Sequence, residues 1–585
     1  MTLAQSLPGL PSLRRRLLQP VQAADIVAVS CIVMALWIVY FRALPYLGLY
    51  NDDYYNVGYP ASLSFGEVWS QCLSWLTRWP NGRPLSACFG WLSSYILVHL
   101  AGLQAIYLVP FFLLSANSLL IYYIVSRKTQ PLAGFIAGVS FAISPVDTLR
   151  LQLTGAFFYQ ACIMLTLIAF VLYDRARYTL AYVSLFIGLL FHECAILGFV
   201  AAPILSAHRG EIVKRFVKNL VIIGCIVTFV LYLRAETMGE SRANAAMSNV
   251  GVMLQRSVTS AMLGSLTHLR LLSTRAMQSL TSPMLGQVAG TLAWLVVLLG
   301  AGMGVILAGV EPFRRGRWRE IGAALKAEAS PATVPWGGYA RVFAAGAVIF
   351  WANYLVFFLS PYYPANHIAG MIALVHTAPG VGASLCLAVL LMALIAVFTK
   401  IELRIAGLAA VLLYLSALGA WGAVVREQYV DSWRNQKAFW KSMVALVPDA
   451  TDGTVIIVQT ERTFDLPYTW VIGSNSWADA VVPRMLYRCS WNSPPMAYVF
   501  DPSWVNMLQN RNGEIGWIRP ASLGIPGWET LSNGNLVMIV ASYGQLTRQE
   551  GNLKVPQGVL RLKPAPPPGT VAKLADGVIS RAILH

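Results

Sequence analysis

Few residues of this chain are equipped for chemistry, and most of them interrupt or border apolar runs. Asp52 and Asp53 adjoin in LGLYNDDYYNVGY. Neighbouring carboxylates repel and raise one another's proton affinity, which suits a general base or a cation ligand; the plain alternative is a loop pair capping the helix that follows. Arg83, in WPNGRPLS, follows a glycine that lets the chain bend and precedes a proline that fits a first helical turn. Its guanidinium can grip a phosphate or carboxylate bidentately, or lie at the membrane interface with its stem in lipid. Asp147 and Arg150, in SPVDTLRLQLTG, form an acid/base cluster that can serve a substrate or close on itself as an i,i+3 pair. His192 and Glu193 stand mid-run in FIGLLFHECAILGF. One continuous helix would bury them in lipid, whereas a hairpin of two short helices carries them to the membrane face; packing against another polar group in the core is the alternative use. His367, in SPYYPANHIAG, is a candidate phosphate or sugar contact among aromatics that also suit an interfacial belt.

These residues are positioned by an unusually apolar chain. Of 585 residues 57% are hydrophobic and 12% charged, half the roughly 25% charged share of a soluble protein. The mean hydropathy is +0.59. A soluble enzyme, a fibre and a disordered chain are excluded, and an α-helical polytopic membrane protein is expected. The net charge of +17 does not point to nucleic acid, because the basic residues lie in short runs between apolar segments. With about 20 apolar residues needed per span, eleven spans are expected: 24–46, 103–126, 131–146, 154–173, 178–191, 194–207, 216–235, 286–309, 339–360, 380–398 and 403–424. The stretch 84–101, in a first outer loop 47–102, reads as either another span or an interfacial helix.

Basic residues arbitrate, since Lys and Arg in short loops stay cytoplasmic. With the N-terminus inside, the cytoplasmic loops hold 19 Lys and Arg and the opposite loops up to residue 424 hold 9. Counting 84–101 as a span inverts every later loop, so it is taken as interfacial or re-entrant. Acids are scarce, 14 before residue 425, and on this topology Asp52, Asp53, Asp147 and Glu193 share the outer face. The stripe Val250, Leu254, Val258 and Met262 predicts an amphipathic helix lying on the membrane. Cys72 and Cys88 share the first outer loop and can form a disulfide. Residues 1–424 thus form the transmembrane part. Residues 425–585 carry 15 basic and 12 acidic groups, turn residues and strand-like runs at Thr454–Val458 and Leu536–Val540, which predicts a C-terminal extracytoplasmic mixed α/β domain.

Assembled, the chain resembles the GT-C superfamily of polytopic glycosyltransferases that use polyprenyl-phosphate-linked sugars, and looks closest to bacterial enzymes that modify O-antigen, lipopolysaccharide or other envelope glycans. The resemblance rests on the acidic pair past the first span (Asp52, Asp53), the run Gly82, Arg83, Pro84 and Leu85, the acidic second outer region (Asp147), and a short hairpin in which His192–Glu193 takes the place of a basic residue followed by Gly or Glu. His367 stands where some relatives carry an Arg. The resemblance implies an enzyme of the inner membrane, N-terminus cytoplasmic and C-terminal domain periplasmic. A polyprenyl-phosphate sugar is attacked at its anomeric carbon, with inversion, by the hydroxyl of a glycan, lipid or protein acceptor. Asp53 or Asp52 then takes the proton, while Arg83 with His192 or His367 steadies the departing phosphate. Some members use a divalent metal. Asp52 and Asp53, with Asp147 and Glu193, offer oxygens for Mg²⁺ or Mn²⁺; the basic residues beside them favour a metal-free site. Two readings from other classes compete: a transporter or flippase of lipid-linked glycans, which predicts inverted repeats and midplane charges, and a membrane-anchored sensor in which the C-terminal part does the work.

Overall fold

The computed structural model describes residues 23–78, 83–206, 211–238, 250–281, 285–308, 336–356, 371–397 and 401–460, and beyond these Leu466, Thr469, Ile472, 476–489, 494–519, 527–542 and 545–585. His367 and Gly82 lie outside the described residues. The chain is mostly helical: α1 (Ala23–Leu36), α2 (Phe65–Arg78), α3 (Pro84–Ala101), α4 (Leu108–Lys128), α5 (Pro131–Ile143), α6 (Ala161–Asp174), α7 (Tyr178–Phe191), α8 (Ala202–Ser206), α9 (Ile212–Met238), α10 (Val250–Thr281), α11 (Leu285–Ala308), α12 (Trp336–Leu355), α13 (Pro379–Val397) and α14 (Ile401–Leu446). Local sequence sets the ends. Pro84 and Pro131 open α3 and α5, where a missing N–H costs nothing, and Gly102 closes α3 at φ 84°.

Among the described residues eight helical stretches are long and apolar enough to cross a membrane: Ala24–Tyr46, Pro84–Ala101, Leu103–Lys128, Leu153–Asp174, Ile212–Leu233, Val288–Leu307, Pro379–Val397 and Glu402–Leu446. The chain is a polytopic membrane protein. Among the described residues, the eleven expected spans are not all matched by helices of that length and composition. Pro131–Ile143, Tyr178–Phe191 and Ile196–Ser206 are shorter apolar helices, and at 1.5 Å per residue the 14-residue α7 covers about 21 Å of a core about 30 Å thick. Pro84–Ala101, expected at the interface, meets the length and composition of a span and is the shortest of the eight.

The helix expected from the stripe Val250 to Met262 is the first part of α10. In α10 the polar residues Ser257, Ser265, His268, Arg275 and Ser279 are buried, against α12 and α14, while Met262, Leu266, Leu269 and Met277 point outward. Val258 and Met262 of the expected stripe face away from the protein, together with Arg256 and Arg270.

Helix α14 passes the expected boundary at residue 424 without a break and continues to Leu446. Its 46 residues extend about 69 Å, more than twice the membrane core. Beyond it the strands β1 (Val455–Thr460), β2 (Met496–Phe500), β3 (Gln509–Arg511), β4 (Glu514–Arg519), β5 (Gly527–Thr530), β6 (Leu536–Ser542), β7 (Gln545–Gln549), β8 (Asn552–Val555) and β9 (Gly558–Arg561) form a small mixed region. The two runs expected as strands become β1 and β6, which pair in parallel at the centre of a β2-β1-β6-β7 sheet. Both faces are covered, as a parallel sheet demands: Ile456, Val458, Val537 and Ile539 join the core of α14, and Ile457, Leu536 and Met538 pack with Trp504 and Trp517. Arg548 on β7 donates to the Leu446 carbonyl at 3.0 Å and to Asp449 at 2.7 Å, so a cation closes the C-terminal end of α14. Burial alone would raise the Asp449 carboxyl, but Arg548 and Lys563 outweigh it and hold the group below its ordinary value.

Candidate functional site

The adjacent acids have different environments. Asn51 turns the chain in the left-handed region at φ 54°, a conformation Asn tolerates better than most residues. Behind it Asp53 is fully buried and accepts four hydrogen bonds. Its Oδ1 takes the Thr154 N–H at 2.8 Å and the Thr154 hydroxyl at 2.7 Å; its Oδ2 takes the N–H groups of Leu153 and Tyr50, both at 3.2 Å. Asp53 does cap a helix, but the one that opens at Leu153, 100 residues on. Burial pushes its carboxyl up to about 7, and the four donors work against that rise. Asp52 is half-buried, and its carbonyl accepts from Asn56.

The first outer loop is anchored on the extension of α14. The Tyr50 hydroxyl donates to the Tyr429 carbonyl at 2.9 Å; the Tyr54 hydroxyl donates to Gln436 at 2.6 Å and accepts from the Trp440 indole at 3.1 Å. Tyr107 donates to the Gly48 carbonyl at 2.6 Å, and a Cβ at Gly48 would run into the Trp433 ring, so this close approach needs glycine. Arg484, from the sheet region, stands 4.9 Å over the Tyr59 ring. The sheet region and the first outer loop therefore occupy the same end of the helical bundle.

The second outer region, 144–152, is buried along its length and held through its backbone. Its Ser144, Pro145 and Thr148 carbonyls accept from Tyr40, Arg275 and Tyr429. Asp147 and Arg150 do not form the local ion pair. Asp147 accepts from the Leu149 N–H at 2.9 Å and from the Thr377 hydroxyl at 2.8 Å. Arg150 donates to the Ala142 carbonyl at the end of α5 at 2.7 Å, between the rings of Tyr40 and Phe141. Burial raises the Asp147 carboxyl, and the nearby Arg150 charge opposes the shift.

The third element is the hairpin. Helix α7 stops at Phe191, His192 is extended, and a 3₁₀ turn over Ile196–Ala201 leads into α8, so the polar pair sits at the bend. His192 is buried against the Tyr159 ring at 4.1 Å, its Nδ1 accepting from the Cys194 N–H at 3.1 Å. Glu193 reaches the other way and binds Arg83 bidentately, Nη2 to Oε1 at 2.5 Å and Nε to Oε2 at 3.1 Å. Their side chains keep 16% and 24% exposure, so this pair stays open to solvent while Asp53, Asp147 and Arg150 do not. Tyr159 and Thr154 belong to one helical entry segment, which joins the Asp53 anchor to the His192–Glu193–Arg83 set.

Two features have no counterpart in the sequence expectations. Thr154 carries half of the Asp53 anchor. A buried cluster joins His268 to the Tyr354 hydroxyl at 3.1 Å and that hydroxyl to His376 at 2.7 Å, next to the Thr377 that binds Asp147. Neither was visible, because Thr154 lies 101 residues from Asp53 and His268 lies 86 residues from Tyr354 along the chain. Cys72 and Cys88 are free thiols, each directed at the other's carbonyl. Among the described residues no three His, Cys, Asp or Glu side chains converge as a cation site; Asp53, Asp147 and Glu193 each bind separate partners. Against known proteins, the chain matches no family model and no curated protein.

Proposed function

We propose that this chain is a membrane glycosyltransferase that moves a sugar from a polyprenyl-phosphate donor to an acceptor hydroxyl at the outer face of the membrane. With Pro84–Ala101 taken as not crossing the membrane, the 19 to 9 distribution of basic residues favours a cytoplasmic N-terminus and an extracytoplasmic sheet region. The observation that carries the reading is the split between the two acids. Asp53 is committed to holding the first outer loop against the Leu153 turn, which leaves Asp52 half-buried at the fixed loop edge. Geometry ranks above proton affinity in choosing a base. The acidity of Asp53 suits a base, yet both its oxygens are enclosed; Asp52 takes the proton as the acceptor attacks the anomeric carbon. The C–O bond to the phosphate breaks as the new glycosidic bond forms on the opposite face, with inversion.

Arg83 supplies positive charge to the departing phosphate, and Glu193 orients its guanidinium. His192 shapes the wall through its ring contact with Tyr159. Asp147 and Arg150 act on the scaffold, by fixing the second outer loop. The purified protein in liposomes, given a panel of polyprenyl-phosphate sugars and an acceptor extract, is expected to release free polyprenyl phosphate and to yield product of opposite anomeric configuration. Movement of intact lipid-linked sugar across the bilayer with no donor consumed would overturn the proposal and support the transporter.

A further inference from the structure

At the end of α7 opposite His192, α7 and α9 enclose a cleft of about 560 Å³, within the roughly 300–1,000 Å³ of small-molecule sites. Its mouth, at Tyr178, is about 20 Å from the hairpin bend, the length of α7. Its walls are apolar, with Tyr182 and Phe186 on α7 facing Ile222 and Ile226 on α9; Arg215 and Lys218 stand at one end. Charge and apolar lining are thus sorted along the axis, and from Arg215 to Ile226 the cleft runs about 16 Å.

Below the cations the flank is built for lipid: Leu180, Val183, Val217 and Val221 are exposed on the two helices. The helices are tied by buried Asn219, which accepts from the Tyr182 hydroxyl at 3.0 Å and donates to the Phe199 carbonyl at 2.8 Å. Arg215 is held at the mouth by Tyr178 at 3.2 Å and by Glu211 one turn earlier at 2.5 Å. Glu211 offsets one positive charge. Lys218 keeps the mouth net cationic, with Arg175 and Arg177 in the turn before α7 adding to the field.

We infer that this cleft is a binding site for an anionic bilayer phospholipid, its phosphodiester on Arg215 and Lys218 and an acyl chain along Tyr182, Phe186, Ile222 and Ile226. A soluble phosphate would use only the mouth; the apolar depth open to the bilayer selects a lipid. Two cations less the Glu211 offset leave about one net positive charge at the mouth, which sets an expected preference of about fivefold for an anionic over a zwitterionic headgroup.

Native mass spectrometry of the detergent-solubilised full chain tests this, with phosphatidylglycerol and phosphatidylcholine of identical acyl chains. The wild type is expected to hold phosphatidylglycerol about fivefold better, the Arg215→Gln/Lys218→Gln variant to bind both alike, and Arg215→Lys to keep most of the preference. Val183→Trp, which fills the cleft and leaves the charges, is expected to weaken both lipids. Equal binding of both lipids by the wild type, a preference that survives the double substitution, or displacement by excess inorganic phosphate would overturn the assignment. A melting temperature within a few degrees of wild type establishes that each variant is folded; one that unfolds is replaced by Lys218→Gln alone, for which a halved preference or less is expected.

Discussion

The two ends of the helical bundle use charge in different ways. At the end that carries the sheet region, polar side chains reach across long stretches of chain: Asp53 to Leu153 and Thr154, Arg83 to Glu193, Thr377 to Asp147, Tyr50 to the Tyr429 carbonyl. At the other end the ion pairs are short-range or exposed. Glu211 and Arg215 are one turn apart on α9, and Lys128 meets Asp174 with 23% and 38% of the side chains exposed. The contrast separates two uses of charge. Exposed cations in short loops set the direction in which the chain threads the bilayer. Buried carboxylates cannot be tolerated without partners, so they fix loops relative to one another and leave a few half-buried groups, Asp52, Arg83 and Glu193, at defined positions.

That contrast can be broken or sharpened by substitution. Asp52→Asn carries the largest effect, a loss of about 10²–10⁴ in kcat with the melting temperature unchanged, the range for removing a general base. Asp53→Asn turns an amide N–H₂ toward one face of a site that holds three backbone N–H groups and is expected to cost about 2–4 kcal/mol of stability, read from thermal or denaturant unfolding in detergent. The pH dependence follows from the same residue. Its folded-state carboxyl is raised to about 7, above the unfolded value of about 3.9, so the folded state binds the proton more tightly. Wild-type stability falls as pH climbs through that window, by up to about 1.4 kcal/mol per unit, and levels off above it. Asp53→Asn loses this slope.

Glu193→Gln should raise the donor KM about tenfold with little change in melting temperature, because a neutral amide still packs but orients Arg83 less well. The smallest effect belongs to the opposite end, where Lys128→Gln is expected to shift stability by less than about 1 kcal/mol, as exposed pairs do.

How much of this was legible in the sequence varies with the range of the interaction. The bend at His192 was readable, because two polar residues inside an apolar run leave the helix little choice but to stop there. The parallel pairing of β1 and β6 was half readable: the strands were marked by their β-branched runs, their adjacency was not. For α10 the period was visible, but the burial of Ser265, His268 and Arg275 was not, since the helices that cover them lie far along the chain. The boundary at residue 424 followed a change in composition, yet Tyr429, Trp433 and Trp440 continue the helix past it to receive the first outer loop. The difference between Asp52 and Asp53 was hidden altogether, since Thr154 lies about a hundred positions away.

The most direct test of the account is a paired measurement on Asp52→Asn and Asp53→Asn in one liposome preparation, recording donor turnover and melting temperature for both. The account predicts a crossed pattern, with turnover lost and stability kept in Asp52→Asn and stability lost in Asp53→Asn. Wild-type turnover in a well-folded Asp52→Asn protein would contradict it.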